Sequence, residues 1–195
     1  MIVPLTTSSD TEIAVAAAKL LSSAGKPYAS DYIKALVHLG YVVVAVEEGD
    51  VIGVVTGMQL LSSDAEQMRE RIEGLDISTE PVTLHLHDVV VAPAWRRRGV
   101  ATELIRFLLH RANYGESTHR FTRALATSRI PTTDMTLGTS FRILQQLGFQ
   151  EIGRFPAGYY RGSLGWRCPD CGEYCCCSGR LMLWERQNGS TASSQ

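Results

Sequence analysis

All five cysteines of the chain lie in one short segment, RCPDCGEYCCC at residues 167–177. Cysteine thiolates are good zinc ligands, and four of them close a tetrahedral site that leaves no position for a reactive water. A zinc ion held here would therefore be structural rather than catalytic. The spacing is compact, so Cys176 is an alternative to Cys175, and an iron–sulfur cluster, disulfides or metal-free thiols are competing interpretations. The predicted ligands are Cys168, Cys171, Cys175 and Cys177.

A second candidate site follows a β-branched run and a proline, in VVVAPAWRRRGVATELI at residues 89–105. The pattern predicts a strand, an arginine-rich turn and a helix that begins near Gly99. The first amides of a helix have no partner within it, and the helix dipole places partial positive charge there, so the turn suits a phosphate. A basic turn that only caps the helix explains the same residues equally well, because neither common nucleotide-binding glycine motif is present.

A third candidate is the pair His85 and His87 in VTLHLHDVVVA, a stretch with the alternation of a strand. Residues two apart on a strand share a face, so Asp88 should point to the opposite face unless a bulge intervenes. Histidine titrates near neutral pH and therefore suits proton transfer. A purely structural role for both rings is the competing interpretation.

The overall composition limits the class of protein. With 195 residues, 45% hydrophobic and a formal net charge of −1, the chain is expected to form one globular domain and not to bind nucleic acid or membrane surfaces in general. The start, MIVPLTTSSD, lacks the features of a secretory leader, and no apolar run approaches the ~18 residues of a membrane span. We therefore expect a cytoplasmic protein whose thiols face a reducing compartment.

Hydrophobic periodicity predicts the element order β-α-α-β-β-(α)-β-α-β-α-β-β, which is a mixed α/β sheet with helices. The first hairpin is expected to turn at Gly49-Asp50, between two β-branched runs. The helix that follows Gly99 should bury the stripe that contains Leu104 and Leu108. The first helix is expected to bury Ile13, Ala16, Ala17 and Leu20.

The stretch Val91-Ala92-Pro93, followed by Arg96, Gly99 and Ala101 in the pattern R-x-x-G-x-A, resembles the acetyl-CoA-binding motif of GNAT N-acetyltransferases. The helix in LQQLGF is similar to the second signature of that family, and the element order matches its fold up to LMLWER. The resemblance implies a GNAT-like fold, with a mostly antiparallel sheet that is flanked by helices and splayed at the cofactor-binding strand. It also implies an acyltransferase in which a primary amine attacks acetyl-CoA directly, with no covalent enzyme intermediate.

The resemblance also implies how acetyl-CoA is held. The pyrophosphate would lie on the amides of the turn, and the pantetheine arm would run beside the strand, along its backbone groups. The thioester would sit in the gap to the next strand, where a backbone amide can polarise its carbonyl. The residues expected to bind the cofactor are Val89, Val91, Arg96, Arg97, Arg98, Gly99, Val100, Ala101 and Thr102.

The chain departs from the family at the general acid. Many members carry a tyrosine four residues before the glycine of the Gly-Phe pair and an asparagine upstream, but here these positions are Leu144 and Leu137. Tyr160, or its neighbour Tyr159, is the expected replacement. His85 falls where some members carry a glutamate base.

We therefore expect His85 and His87 to act in catalysis or to contact the substrate. Members that acetylate protein N-termini carry a Tyr-Tyr pair in the corresponding hairpin, so Tyr159 and Tyr160 are also expected to line the substrate site. The expected acceptor is thus the N-terminal α-amine of a protein or peptide. A small-molecule amine, such as a polyamine or an aminoglycoside, is the alternative.

The same resemblance places a single acetyltransferase domain at residues 1–187 and a flexible tail at 188–195. Residues 162–180 would be a Cys-rich, metal-binding insertion in the last hairpin, where a long loop tends to need a staple. Two interpretations of a different class stay open. One is a pseudoenzyme that binds coenzyme A without turnover, and the other is a binding protein that uses the zinc loop.

Overall fold

The computed structural model describes residues 1–4, 11–24, 33–34, 36–37, 41–80, 82–114, 121–130, 139–158, 171 and 175–186, of which 113, 114 and 139 are described by their backbone alone. The strands are β1 (Ile2–Pro4), β2 (Val42–Glu47), β3 (Asp50–Gln59), β4 (Thr83–Val91), β5 (Arg123–Ile130), β6 (Gln150–Phe155) and β7 (Ser178–Glu185). The helices are α1 (Thr11–Ser23), α2 (Ser62–Arg71), α3 (Val100–Tyr114) and α4 (Thr139–Gln146), with a short 3₁₀ turn at Pro93–Trp95. Residues 33–34 and 36–37 are helical as well.

The strands form one seven-stranded sheet in the order β1-β2-β3-β4-β5-β7-β6. Neighbouring strands are antiparallel, except that β4 and β5 run parallel. Helix α3 makes the crossover between these two strands, as a parallel connection requires. The predicted fold class, a mixed and mostly antiparallel sheet flanked by helices, is confirmed.

The two faces of the sheet have separate cores. Helices α3 and α4 cover one face and bury the main apolar cluster, in which the predicted stripe residues Leu104 and Leu108 are fully enclosed. Helix α1 and the helical residues near 33–37 cover the other face, and α2 covers the part of that face next to β5 and β7. Among the described residues no helix is long and apolar enough to cross a membrane.

Helix α3 lies very close to strand β3 because β3 carries glycines where the helix crosses it. A Cβ on Gly53 would come within 3.0 Å of side-chain carbons of Leu104 and Val100. A Cβ on Gly57 would come within 3.4 Å of Leu108. These two glycines therefore allow the helix to pack against the sheet and fix where its N-terminus stands beside the end of β4.

Two details of the sequence prediction were wrong. The first hairpin turns at Glu48-Gly49 and not at Gly49-Asp50, because Asp50 pairs with Glu47. Both turn residues have positive φ, 51° and 90°, as the tight turn of a right-twisted hairpin requires. The first helix is rotated by one position, since its buried residues are Ala14, Ala17, Ala18 and Leu21 rather than the predicted set.

The rotation of α1 has a simple cause. Small alanines allow the helix to approach β3 and β4 closely, so the alanine-rich side packs inward. Ile13 and Leu20 then lie at the border of the contact and are only partly buried.

Candidate active site

The turn between β4 and α3 presents a row of amides and three exposed arginines. Arg97 and Gly99 adopt positive φ, 60° and 83°, and the first helical hydrogen bond runs from the Glu103 amide to the Gly99 carbonyl, at 3.1 Å. The amides of residues 100–102 therefore have no acceptor within the helix and point away from its N-terminus. A Cβ on Gly99 would meet no protein atom within 4 Å, so a ligand can approach this backbone closely.

The arginines of the turn are held in different ways. Arg96 Nε donates a hydrogen bond to the Val91 carbonyl, at 3.1 Å. The Arg98 guanidinium stacks on Trp95, 4.9 Å from the ring centre. Arg97 lies in the left-handed conformation at the tip and is exposed. Two of the three cations are thus oriented by the turn itself, and together they create a positive rim around the helix N-terminus.

The parallel strands β4 and β5 separate before they end. They pair only from Thr83 to Leu86 on β4 and from Arg123 to Ala126 on β5. Strand β4 continues to Val91 and β5 to Ile130, so the second halves of the two strands form the walls of a gap. We call residues 87–91 the β4 wall and residues 127–130 the β5 wall.

The β4 wall presents backbone groups to the gap. The Ala92 amide donates to the Ile52 carbonyl on the β3 side, at 2.9 Å. Amide direction alternates along a strand, so the amides of Val89 and Val91 point to the opposite side, into the gap. These are the two residues whose backbone the sequence assigned to the cofactor. The Val91 carbonyl on the same side already accepts from Arg96.

A β-bulge in β4 changes the arrangement around the two histidines. Thr56 pairs with Asp88, whereas Gly57 pairs with Leu86, so His87 is the extra residue. His85 is opposite Met58 and Asp88 is opposite Thr56. Cross-strand partners share a face, and so do Thr56 and Met58.

Asp88 therefore lies on the same sheet face as His85, the face covered by α1 and α2. The alternation had predicted the opposite face, and the bulge is the reason for the difference. His85 and His87 contact each other, with ring centres 4.7 Å apart and planes at 60°. Asp88 is buried and His87 is exposed.

His85 is partly buried, and its ring lies against the ring of His87. Its Nδ1 is enclosed and has no hydrogen-bond partner among the described residues. Burial, and secondarily repulsion from His87, lowers the pKa of His85 to about 3. His85 is therefore neutral at pH 7, and it is a hydrogen-bonding group rather than a strong base.

The sequence profile of the Acetyltransferase (GNAT) family matches residues 14–126, which is more than half of the chain. The chain belongs to the GNAT acetyltransferase family. The predicted acyltransferase class is thereby confirmed. No curated protein sequence matches the chain.

Solved structures that resemble this GNAT chain include enzymes with different acceptors. Arabidopsis thaliana NAA60 in complex with a bisubstrate analogue has a TM-score of 0.64 at 16% identity, covering 97% of this chain and 99% of that one. The Escherichia coli ribosomal-protein-S18-alanine N-acetyltransferase has a TM-score of 0.61 at 13% identity, with 100% and 99% covered. Agmatine N-acetyltransferase has a TM-score of 0.61 at 18% identity, with 94% and 99% covered. At these identities the likeness concerns the fold.

A hydroxyl pair near the gap has no counterpart in the sequence prediction. Ser128 Oγ lies 2.9 Å from Ser140 Oγ, which joins the β5 wall to the first turn of α4. Ser140 is one helical turn before Leu144, which occupies the position of the usual GNAT tyrosine and is buried in the main core. No local pattern marks this pair, because the two serines come from different elements and hydroxyls are common at strand ends and helix starts.

The remaining predicted site residues are only partly placed. Tyr159, Tyr160 and Cys168 lie outside the described residues. Of the predicted metal ligands, Cys171, Cys175 and Cys177 come together at the start of β7. Strand β7 begins at Ser178, so regular structure extends into the predicted 162–180 insertion.

Proposed function

We propose that this GNAT protein transfers the acetyl group of acetyl-CoA to a primary amine by direct attack. The observation that carries the proposal is the parting of β4 and β5 after Leu86 and Ala126, directly before a cationic helix N-terminus. The gap offers a backbone edge for an extended ligand, and the turn at its end offers amides for an anion. Acetyl-CoA matches both parts of the site, because its phosphates are anionic and its arm is an extended chain that contains amide groups.

The residues present fit coenzyme A. Arg96, Arg97 and Arg98 supply charge, and the amides from Arg97 to Thr102 face the position of a pyrophosphate. The amides of Val89 and Val91 supply donors along the arm, and one of them can polarise the thioester carbonyl as charge develops on its oxygen. Solved structures of similar fold contain acetyl-CoA or coenzyme A, in Arabidopsis thaliana NAA60 and in the NatC complex.

In the proposed reaction the amine nitrogen forms a bond to the thioester carbon, and the carbon–sulfur bond breaks. The amine must first lose a proton, and we assign the transfer of this proton to solvent to the two histidines. His85 accepts a hydrogen bond in its neutral form, and the exposed His87 passes the proton to solvent. The leaving thiolate takes up a proton in return. The Ser128–Ser140 pair lies beside the gap and can donate a hydrogen bond to the thiolate, and Tyr160 is the proton donor that the resemblance suggests.

We propose the N-terminal α-amine of a protein or peptide as the acceptor, with Tyr159 and Tyr160 in the substrate site. Two of the similar structures, NAA60 and the enzyme for the alanine of ribosomal protein S18, favour this class. Agmatine and aminoglycoside 6'-N-acetyltransferases are also similar in fold, so a small-molecule amine is the second candidate. We place the reaction in one domain, residues 1–187, and in a reducing compartment such as the cytoplasm.

The test is release of coenzyme A thiol from acetyl-CoA with a panel of short peptides, polyamines and aminoglycosides. We expect turnover with peptides that have a free α-amine and none with the same peptides after N-terminal blocking. Turnover with polyamines alone would select the second candidate. Thermal stabilisation by acetyl-CoA without thiol release would indicate a pseudoenzyme.

The histidine assignment has its own test. Changing His85 and His87 together to alanine should lower kcat by about 100-fold, because the proton path is lost. The affinity for acetyl-CoA, measured by calorimetry, should stay within about twofold, since neither ring belongs to the turn. Unchanged kcat would remove both residues from the mechanism.

A further inference from the structure

Three cysteine side chains converge at the start of β7, on residues that the acetyl transfer proposed above does not use. The Sγ atoms of Cys171, Cys175 and Cys177 all lie within 4.8 Å of one another. Cys175 and Cys177 are buried, and Cys171 packs on both of them from a half-buried position. A compact group of mostly buried thiols from two points of a loop is the arrangement that a thiophilic cation requires.

The sulfur distances distinguish a metal site from a covalent bridge. Cys171 Sγ lies 3.3 Å from Cys177 Sγ, and Cys176 Sγ lies 3.7 Å from Cys171 Sγ. A disulfide bond is ~2.05 Å long, whereas thiolates at ~2.3 Å from one zinc ion stand ~3.8 Å apart. The observed distances are those of separate sulfurs, and the three convergent ones are close enough together to share one ion.

We infer that Cys171, Cys175 and Cys177 bind one Zn²⁺ ion that fixes the start of strand β7. These three described cysteines carry the inference, and Cys168, the fourth ligand that the sequence predicts, lies outside the described residues. Cys176 does not belong to the convergent group among the described residues. Each thiol loses its proton when the metal binds.

The location of the site gives it a mechanical role. Cys177 accepts a hydrogen bond at its carbonyl from the amide of Gly158, at 3.0 Å, which ties the end of β6 to the cluster. The next residues of the chain begin β7, where Ser178 pairs with Ile130 and Arg180 pairs with Ser128. The first four residues of β7 are therefore the ones that support the β5 wall of the gap.

Metal analysis of the full-length protein tests the site itself. We expect about one zinc per chain in protein purified without chelator. A sample in which cobalt replaces zinc should show the intense sulfur-to-metal charge-transfer absorption that is typical of thiolate ligands. The variants Cys175→Ser and Cys177→Ser should each lose most of the metal. The matched control Cys176→Ser, in the same segment, should keep it.

Two results would overturn the inference. One is folded protein with less than about one zinc in ten chains after growth in zinc-supplemented medium. The other is full zinc content in both Cys175→Ser and Cys177→Ser. If these variants fail to fold, the parent protein can be titrated with a mercurial reagent that displaces zinc from thiolates. The amount of zinc released is then compared with the number of thiols that have reacted. Displacement of one zinc per chain supports the site, and no zinc refutes it.

A second measurement addresses the consequence for the gap, and it rests on the proposed acetyl transfer. Chelation should lower Tm by about 5 °C or more and raise KM for the amine at least threefold, while the Kd for acetyl-CoA stays within twofold. Metal content is independent of turnover, so zinc with no turnover would defeat the proposed function alone. Turnover with unchanged KM after zinc removal would show that the ion does not hold the β5 wall.

Discussion

The two walls of the gap are supported in different ways. The β4 wall pairs with β3 from Asp88 to Val91 and runs directly into the turn and α3, so it is held by backbone hydrogen bonds and helix packing. The β5 wall pairs with the first half of β7, which starts beside the thiol cluster. It carries Ser128, whose hydroxyl reaches across to Ser140 on α4. One wall offers main-chain groups and the other offers side chains.

This difference explains how the two halves of a transferase can be specialised. Under the proposed function, the wall made of main-chain amides would recognise the constant part of the reaction, the arm and phosphates of the cofactor. A wall that depends on side chains and on a loop-supported strand can vary with the acceptor. We therefore expect substitutions in the turn to change the use of acetyl-CoA, and substitutions around β5 and β7 to change kcat or the use of the amine.

The largest effect should follow from Gly99→Val. Gly99 has φ +83°, which a β-branched residue adopts at a cost of roughly 1–3 kcal/mol, so the turn must rearrange and its amides move. We expect kcat/KM for acetyl-CoA to fall by about 100-fold. Gly74→Val is the matched control, because Gly74 also has positive φ, +71°, and open space at its Cβ.

The control should lose a similar amount of stability in urea and keep its turnover. Equal kcat/KM for the Gly99 variant and the parent would show that the turn is not where acetyl-CoA is held.

The next effect concerns the β5 wall. Ser128→Ala removes a buried hydroxyl from the Ser128–Ser140 pair, and we expect kcat to fall by about tenfold with the KM for acetyl-CoA unchanged. Ser23→Ala, which removes an exposed hydroxyl bonded to the Leu20 carbonyl at the end of α1, should leave kcat unchanged. A Ser128→Ala enzyme with full kcat at all substrate concentrations would show that the serine pair does not stabilise the leaving thiolate.

A smaller effect is expected for charge in the turn. Arg97→Gln removes one exposed cation next to the helix N-terminus and should raise KM for acetyl-CoA by about threefold to tenfold at low salt. The difference should shrink as ionic strength rises. Arg71→Gln, at the exposed end of α2, removes the same charge far from the turn. Identical salt dependence for the two variants would contradict a local role for Arg97.

The smallest effect is on stability and comes from His85. Its folded pKa of about 3 lies below the ordinary histidine pKa of 6.5, so the unfolded chain binds more protons between these values. The stabilisation is complete above pH 6.5 and is lost as pH falls toward 3, by at most about 1.4 kcal/mol per pH unit. Urea unfolding of His85→Gln should show a shallower loss below pH 6.5 than the parent or His110→Gln. Parallel curves would mean that the His85 ring is solvated.

The sequence predicted the turn after β4 better than it predicted the pairing of the strands, for a physical reason. The turn is encoded locally by Pro93, the arginines and Gly99, and the face of α3 by a helical repeat of apolar residues. These signals act within a few residues of one another. The bulge at His87 depends instead on how β3 and β4 align, and alternation along one strand cannot report a mismatch between two strands.

The serine pair and the hairpin turn show the same limit. Ser128 and Ser140 meet only because β5 and α4 pack together, so neither is distinctive in the sequence. The turn moved by one residue because the pairing of Glu47 with Asp50 decides which two residues adopt positive φ. The cysteine cluster was visible because its residue type is rare, although the sequence left open which thiols converge.

The most direct measurement is the mass of the acceptor after incubation with acetyl-CoA and the purified full-length protein. We expect one acetyl group on the α-amine of a peptide, with one equivalent of coenzyme A thiol released, and neither product with Gly99→Val at the same concentration. Acetyl-CoA that stays intact with every peptide, polyamine and aminoglycoside, in the presence of protein that retains its fold, would contradict acetyl transfer by this chain.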